Sequence, residues 1–300
     1  MTGPISSPIE QIDNAMNTTH VGWNGIRLTV PRSWTLHING HTHLIFEKDF
    51  QPLLEIRWQI PDSRKPATHQ SMLRKLQKQN NDIEEKQIEE KLFSLKKHYH
   101  IFCYGKKETP GPEGGILSCK TCGKLILFHL NQCDKNLAAP LAALSSLSCH
   151  FLQEEPHLWS FQGSDLLLPS TFILHKFSFR PGFGCLSFRL KKLDLHCSRL
   201  SPADIRLQNQ SLQEILAVLS GLSENEIKNG RTDLSCGGYR YPSMTFQVLS
   251  RLKRQKPFIR ASIQHDPDNN TLFSMVAEST QPIPPEICIP NQPEYETVSI

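Results

Sequence analysis

Two cysteines with the spacing of zinc ligands are the residues of this sequence best suited to chemistry. Cys119 and Cys122 are separated by Lys-Thr and followed by Gly123. Two thiolates at this spacing form half of a tetrahedral zinc site, because a turn at the glycine brings both sulfurs to one ion. The sequence holds no second pair of cysteines at this spacing. The motif therefore predicts a structural zinc site whose remaining ligands lie elsewhere in the chain.

The remaining ligands are predicted from the pairing of two strands. Residues 105–115, GKKETPGPEGG, are rich in turn formers and join two β-like runs. A hairpin centred on this loop places Cys103 opposite Cys119. The same register places His100 opposite Cys122. The prediction is a Cys3His site, although residues three apart face opposite sides of a strand, so that His100 and Cys103 need a bulge to share one ion.

The CxxC motif also allows a redox interpretation and a plain one. Thiol redox chemistry requires a lowered thiol pKa, usually supplied by a helix that starts just after the first cysteine, whereas residues 125–130 have a strand pattern. In the plain interpretation the motif is a pair of reduced cysteines on a hairpin.

The remaining cysteines are weaker candidates. Cys133 is a poorer third ligand, since extended chain from Cys122 spans roughly 35 Å. The other cysteines are interpreted as buried apolar residues or surface thiols: Cys185, Cys197, Cys236 and Cys288.

Three histidines around the first predicted hairpin turn form a second group of candidate ligands. His37, His41 and His43 are close in sequence, but no carboxylate or cysteine lies at ligand spacing to complete a site. We interpret them as solvated strand residues, with metal binding as the alternative.

Signatures of common enzymes are absent from the sequence. It contains no GxxxxGK[ST], GxGxxG, GxSxG or HExxH motif. The carboxylate pairs Glu84-Glu85 and Glu89-Glu90 lie among lysines, which is typical of a solvated charged face. The absence of these motifs does not by itself exclude an enzyme.

A basic stretch at residues 251–260, RLKRQKPFIR, suggests a different class of function. If its charges converged on one face, phosphate binding with stacking on Phe258 would follow. The residues concerned are Arg251, Lys253, Arg254 and Lys256. A loop kept soluble by its lysines is the simpler interpretation, so nucleic acid is an alternative partner and not the favoured one.

Composition indicates a globular cytoplasmic protein. The chain has 300 residues, a net charge of +4 and no apolar run near the roughly 20 residues of a membrane span. The N-terminal residues lack the basic start and apolar core of a secretory signal. Nine cysteines, an odd number without regular spacing, argue against a disulfide framework. We therefore expect a reducing compartment and no membrane partner.

The chain carries an internal repeat. The stretch from Trp23 to Trp58 and the stretch from Trp159 to Cys197 share an order of features: a Trp, an apolar run ending in Pro, an aromatic-plus-Leu step and two short apolar strands. This order predicts two similar α+β domains, each an antiparallel β-sheet covered by a helix. The predicted boundaries are a flexible arm at 1–20, a first domain with the CxxC hairpin at 21–152, a second domain at 157–281 and a Pro-rich tail at 282–300.

Periodicity and capping signals predict the individual elements. Strands are expected at 25–30, 34–38, 43–47, 54–58, 92–103, 239–249, 258–264 and 271–278. Helices are expected at 67–79, 82–90, 140–151 and 211–221, the last with a Ser-Leu-Gln-Glu capping box and a closing Gly221.

The repeated stretches resemble the Mog1/PsbP-type α/β sandwich, here in tandem. The residues that carry this resemblance are 26–34 with 44–56 in the first copy, and 166–174 with 186–195 in the second. The resemblance implies an accessory protein that docks on a protein partner, and it implies no catalytic group. The sequence thus predicts a non-catalytic interaction protein stabilised by zinc, with nucleic-acid binding or thiol redox chemistry as alternatives.

Overall fold

Two β-rich units make up the chain. The computed structural model describes residues 17–59, 69–79, 81–131, 137–149, 155–230, 232–247, 255–284 and 287. The chain divides into Met1–Leu166 and Leu167–Ile300. This division falls later than the boundary predicted at residues 153–156.

The first unit is built on a seven-stranded antiparallel sheet in the order β3-β4-β5-β9-β8-β7-β6. A separate hairpin of β1 and β2 precedes it. Two α-helices and one 3₁₀-helix, Glu90–Lys97, accompany the strands in the described part of this unit. The strands and helices are β1 (Thr18–Trp23), β2 (Ile26–Pro31), β3 (Thr35–Ile38), β4 (His43–Lys48), β5 (Gln51–Gln59), α1 (His69–Gln79), β6 (Ile83–Lys86), β7 (Tyr99–Lys106), β8 (Gly114–Cys119), β9 (Leu125–Leu130), α2 (Ala138–Ser145) and β10 (His157–Phe161).

The second unit repeats this sheet strand for strand, in the order β12-β13-β14-β18-β17-β16-β15. Strand β11 pairs with β10 in a hairpin that corresponds to β1-β2. The strands and α-helices given for its described residues are β11 (Ser164–Leu168), β12 (Ile173–Arg180), β13 (Phe183–Leu190), β14 (Leu193–Leu200), α3 (Ala203–Leu207), α4 (Leu212–Ser220), β15 (Ile227–Asn229), β16 (Ser235–Arg240), β17 (Phe258–Asp266) and β18 (Thr271–Ser279). A 3₁₀-helix, Glu224–Glu226, precedes β15. The prediction of two similar β-rich domains is therefore confirmed.

The hairpins β1-β2 and β10-β11 have the same kind of tight turn. Asn24 and Gly25 both have positive φ, at 43° and 78°, and join Trp23 directly to Ile26. In the second hairpin Gln162 and Gly163 have φ of 48° and 75°. Two successive residues with positive φ form the type I′ turn that matches the twist of paired strands. The Asn39-Gly40 dipeptide predicted such a turn there, but the chain instead makes a longer loop between β3 and β4.

The core of the first unit is centred on two tryptophans. Trp23 and Trp159 are 0% and 1% exposed, and their rings meet edge to face with centroids 5.5 Å apart. Strand β1 packs against β10 so closely that a Cβ on Gly22 would lie 2.4 Å from the carbonyl oxygen of Leu158. Only glycine fits there, because real Cβ contacts are never this short. Burial of this aromatic pair is a major source of stability in the unit.

Helix α4 supplies core residues to the second unit. The Ser211 hydroxyl accepts the N–H of Glu214, while the Glu214 carboxylate accepts the N–H of Ser211, and Gly221 ends the helix at φ 68°. These caps satisfy backbone groups that a helix end leaves unpaired. Buried Ile215 and Leu216 pack with residues of β15 to β18. The predicted helix with its capping box is thereby confirmed.

Arg240 and Glu226 form a bidentate ion pair in the second unit. Arg240 donates through Nε and Nη2 to the two carboxylate oxygens of Glu226, at 2.8 and 2.7 Å. The hydrogen bonds from Arg240 hold the pKa of Glu226 at about 2, well below its ordinary value. Because the folded pKa lies below the unfolded one, the stabilisation is present above about pH 4.3 and is lost as the pH falls towards 2.

We expect Glu226→Gln to lower the free energy of unfolding at pH 7 by on the order of 1–2 kcal/mol, since the pair is partly solvated. The difference from wild type should shrink between pH 5 and pH 2, as measured by urea unfolding. Exposed Glu224 lies two residues away, and Glu224→Gln is the matched control. An equal loss at pH 7 and pH 2.5 would contradict this role for the ion pair.

Three predicted elements are wrong. Residues 83–86 are not helical but form β6, which pairs with β7 at the sheet edge. Glu90–Lys97 is a 3₁₀-helix and not a strand, because Leu92 and Leu95 are buried and three-residue spacing places them on one side of such a helix. Strand β16 covers Ser235–Arg240 instead of 239–249; Pro242, which has no N–H to donate, follows its end.

The chain ends differ in part from the prediction. Of the arm expected at 1–20, Thr18 to His20 belong to β1, and residues 1–16 lie outside the described residues. The tail at 282–300 is described only for 282–284 and 287. No helix in the described part of the chain is long and apolar enough to cross a bilayer.

Candidate metal centre

Three cysteine sulfurs from two segments of the first unit lie together. The Sγ atoms of Cys119, Cys122 and Cys149 are all within 4.8 Å of one another. The Cys122 and Cys149 sulfurs are 3.6 Å apart. Tetrahedral zinc with Zn–S bonds near 2.3 Å requires sulfurs about 3.8 Å apart. The three thiols therefore fit one zinc ion without a large change in the chain.

The turn between β8 and β9 has the geometry of a zinc knuckle. Cys119 is the last residue of β8. The backbone N–H of Cys122 donates to the Cys119 sulfur, and the N and Sγ atoms are 3.4 Å apart. Gly123 has φ 68° and donates its N–H to the Cys119 carbonyl at 3.0 Å. A left-handed residue at this point favours glycine, which explains the Gly after the second cysteine. The local sequence thus positions two of the three sulfurs.

The third sulfur is fixed by the segment that follows α2. Ser148 and Arg27 exchange two backbone hydrogen bonds of 2.9 and 2.8 Å, which attach this segment to β2. Lys124 donates through Nζ to the carbonyl oxygens of Gly25 and Cys149, at 3.0 and 3.5 Å. These contacts hold Cys149 beside the turn that carries Cys119 and Cys122.

Burial and hydrogen bonding act in opposite directions on the thiols. Burial raises the pKa of Cys119, but hydrogen bonds with the N–H groups of Cys122 and Thr121 and with the Cys122 and Cys149 thiols together lower it more, so that its pKa lies below the ordinary value. Burial raises the pKa of Cys149, and the hydrogen bond with Tyr99 offsets only part of that rise. Burial and its contact with the Cys149 thiol also raise the pKa of Tyr99. A bound cation would offset the cost of two buried thiolates.

Two of the predicted ligands are elsewhere. Cys103 pairs with Gly115, and its burial raises its pKa to about 11. His100 is exposed and pairs with Ser118, while Tyr99 occupies the position opposite Cys119. The predicted Cys3His set of Cys119, Cys122, Cys103 and His100 is therefore wrong in its last two members.

The predicted pairing of β7 with β8 was wrong because two glycines assigned to the loop belong to strand β8. Gly114 and Gly115 are the first residues of β8, where a Cβ would lie 2.5 Å from the Tyr104 hydroxyl and 2.4 Å from the Phe128 ring respectively. Close packing against aromatic rings explains them better than turn formation. Their place in the strand shifts the pairing by four residues relative to the symmetric hairpin.

Cys149 was missed because the sequence analysis placed it inside a helix at 140–151. Helix α2 ends at Ser145, and Ser146 is its C-cap. Three serines in residues 145–148 compete for backbone hydrogen bonds and disfavour a continuing helix. That signal would have separated Cys149 from the helix, although it does not reveal the proximity to Cys122.

The remaining histidine and cysteine candidates have other contacts. His37 and His43 lie 2.8 and 2.9 Å from the carboxylates of Glu47 and Glu55 on neighbouring strands. Cys197 and Cys236 are buried and Cys185 is half-buried. Cys133 and Cys288 lie outside the described residues. Within the described ranges, the one group of at least three metal-ligating side chains is that of Cys119, Cys122 and Cys149.

The basic stretch is described only in part. Arg251, Lys253 and Arg254 lie outside the described residues. Lys256 forms an ion pair with Asp194, which also pairs with Arg189, and these partners hold the pKa of Asp194 at about 2 against the effect of burial. Phe258 is 4% exposed and meets Tyr241 edge to face. Phe258 is therefore not exposed for stacking on a base, and the charge of Lys256 is paired with Asp194.

A serine–histidine contact occurs in the second unit. Ser187 Oγ lies 2.9 Å from His196 Nδ1, and burial lowers the pKa of His196. Ser187 is only 4% exposed. A substrate cannot reach so buried a hydroxyl in this conformation, so the pair is interpreted as a satisfied polar contact within the sheet.

The second unit contains the same turn without cysteines. Between β17 and β18, Asp266 accepts the N–H of Asn269 at 3.2 Å, and Asn270 has φ 49°. These positions correspond to Cys119, Cys122 and Gly123, because each turn has a side-chain acceptor at its first residue, the donor three residues later and a left-handed residue fourth. The turn itself therefore needs neither thiols nor metal.

Comparisons with known proteins give no functional assignment. No family model matches the chain, and no curated protein matches it. Solved structures with some likeness are the Pseudomonas aeruginosa MucA/MucB complex, at 11% identity over 87% of this chain and 81% of that chain, and the crystal structure of MucB, at 10% identity over 87% and 80%. Their TM-scores are both 0.16, too low to support an argument about fold or function.

Proposed function

We propose that this chain is a non-catalytic accessory protein of the cytoplasm whose first domain is stabilised by a structural zinc ion. Its zinc ligands are Cys119, Cys122 and Cys149. The observation that carries the proposal is the convergence of these three sulfurs within 4.8 Å. The proposed partner is another protein, in keeping with the resemblance to tandem Mog1/PsbP-type domains, in which a helix covers each sheet.

A structural role follows from the parts of the chain that zinc would connect. Cys119 and Cys122 belong to the β8-β9 turn, whereas Cys149 lies after α2 and beside β2. Binding energy of a metal that joins separate segments is folding free energy, because the unfolded chain has no preformed site. The fourth position of tetrahedral zinc is left to water or to a ligand outside the described residues.

Elemental analysis of protein purified without chelator or affinity metal tests the proposal. We expect about one zinc ion per chain for wild type, as in a three-thiolate site. The test variant is Cys119→Asn/Cys122→Asn. Asn oxygens can accept the turn's N–H as Asp266 does in the second unit, so the fold should survive while the thiolates are lost.

The matched control is Cys185→Ser, since Cys185 is half-buried and distant in sequence from the cluster. This variant should hold as much zinc as wild type. Absence of zinc from wild type, and from wild type dialysed against zinc, would overturn the proposal. Equal zinc in the Cys119→Asn/Cys122→Asn variant would do the same, because the metal would then be bound elsewhere.

A further inference from the structure

We propose that Cys122 and Cys149 are a peroxide-sensitive pair that closes into a disulfide bond. This inference adds a modification site to the cluster. Disulfide formation does not require the metal; only the accompanying release of zinc rests on the proposed function.

The short distance between the Cys122 and Cys149 sulfurs favours this pair for a disulfide bond. The two sulfurs are 3.6 Å apart, and a disulfide bond is about 2.05 Å long. Cys122 lies in an exposed turn together with Lys120 and Thr121, so a movement of roughly 1.5 Å can be taken up there without disturbing the core. Cys149 is held by the backbone pairing of Ser148 with Arg27 and can remain in place.

The difference in exposure between Cys122 and Cys149 indicates which sulfur reacts with the oxidant first. Cys122 is exposed, whereas Cys119 and Cys149 are 3% and 5% exposed. Oxidants reach exposed thiols first, and a neighbouring buried thiol then acts as the resolving group. The first cysteine of the CxxC motif is less suited to pair with Cys122, because its sulfur accepts the Cys122 N–H within the turn.

The chemistry is balanced with hydrogen peroxide as the two-electron oxidant. The Cys122 sulfur attacks one peroxide oxygen and becomes a sulfenic acid, and the second oxygen leaves as water. The Cys149 sulfur then attacks the Cys122 sulfur, which expels the hydroxyl group as a second water. Two thiol protons leave in the two waters, the pair of cysteines is oxidised by two electrons, and peroxide is reduced. Cys119 remains a single thiol.

Loss of two thiolates removes two of the three ligands in the proposed zinc site. A zinc ion held by one remaining sulfur is bound far more weakly, because affinity depends on the number of deprotonated ligands. Oxidation should therefore release about one zinc ion for each disulfide formed.

Peptide mapping by mass spectrometry of the full chain, treated with a small excess of hydrogen peroxide and alkylated without reduction, tests the inference. The expected product is the peptide containing Cys122 cross-linked to that containing Cys149. Cys119→Ser retains both sulfurs and should form the same cross-link, whereas Cys149→Ser should not. Metal release is followed in parallel with a zinc-sensitive dye.

The outcomes separate the two proposals. A Cys122–Cys149 cross-link in protein that holds no zinc supports the modification site and defeats the structural zinc. Zinc in wild type with a Cys119–Cys122 cross-link, or with sulfinic acid and no cross-link, overturns the modification site and leaves the metal proposal standing.

Discussion

Cys149→Ser is expected to lower zinc affinity by more than about 100-fold and to lower the thermal midpoint of the first domain. The serine hydroxyl is a poor replacement for a thiolate ligand, and Cys149 is the proposed ligand that would connect the knuckle to the segment after α2 through the metal. Competition with a chromophoric chelator measures the affinity, and calorimetry of the full chain measures the midpoint.

A comparison with and without chelator separates the metal from packing. Cys149 is 5% exposed, so its replacement also costs some stability through burial of a hydroxyl. In excess chelator that packing cost remains while the metal contribution disappears. The midpoint difference between wild type and Cys149→Ser should therefore be larger without chelator than with it. An equal difference in both conditions would show that Cys149 acts through packing alone.

Trp23→Ala is expected to destabilise the first domain by about 3–5 kcal/mol, the range for truncating a buried aromatic side chain. Trp23 is fully buried against the edge of Trp159, and the neighbouring approach of Gly22 to Leu158 prevents the strands from closing the cavity. Chemical unfolding followed by far-ultraviolet circular dichroism gives the free energy for comparison with wild type.

Phe50 provides the control for this truncation. It is also a large aromatic residue of the first unit, but it is 98% exposed in the turn between β4 and β5. Phe50→Ala should change the free energy of unfolding by less than about 0.5 kcal/mol. A loss below about 1 kcal/mol for Trp23→Ala would contradict the role of the tryptophan pair in the core.

Much of the β architecture could be predicted because its signals are local. Alternation of apolar residues and the position of Pro31 predicted β2 to β5 within a few residues, and the capping box at Ser211 predicted α4. The repeat of the Trp-to-Pro pattern predicted the second copy. Edge strand β6 was missed because it is polar on most positions, so no apolar alternation distinguishes it from a solvated helix.

Of the three clustered cysteines, only the two that belong to one turn could be predicted to lie together. Cys119, Cys122 and Gly123 define a knuckle by spacing alone. Cys149 approaches them because α2, the bridge from Ser148 to Arg27 and the Lys124 hydrogen bonds together fix its position. None of these long-range contacts leaves a pattern in the neighbouring sequence. The strand register failed for a similar reason, since the glycines of β8 are required by aromatic rings from other strands.

The β8-β9 turn and the matching β17-β18 turn differ in their side chains. Because the turn between β17 and β18 forms with Asp266 and Asn269, the shared fold does not require cysteine at these positions of the turn. The second half therefore carries, in the same molecule, a version of this turn without cysteines, against which the properties of the turn with Cys119 and Cys122 can be compared.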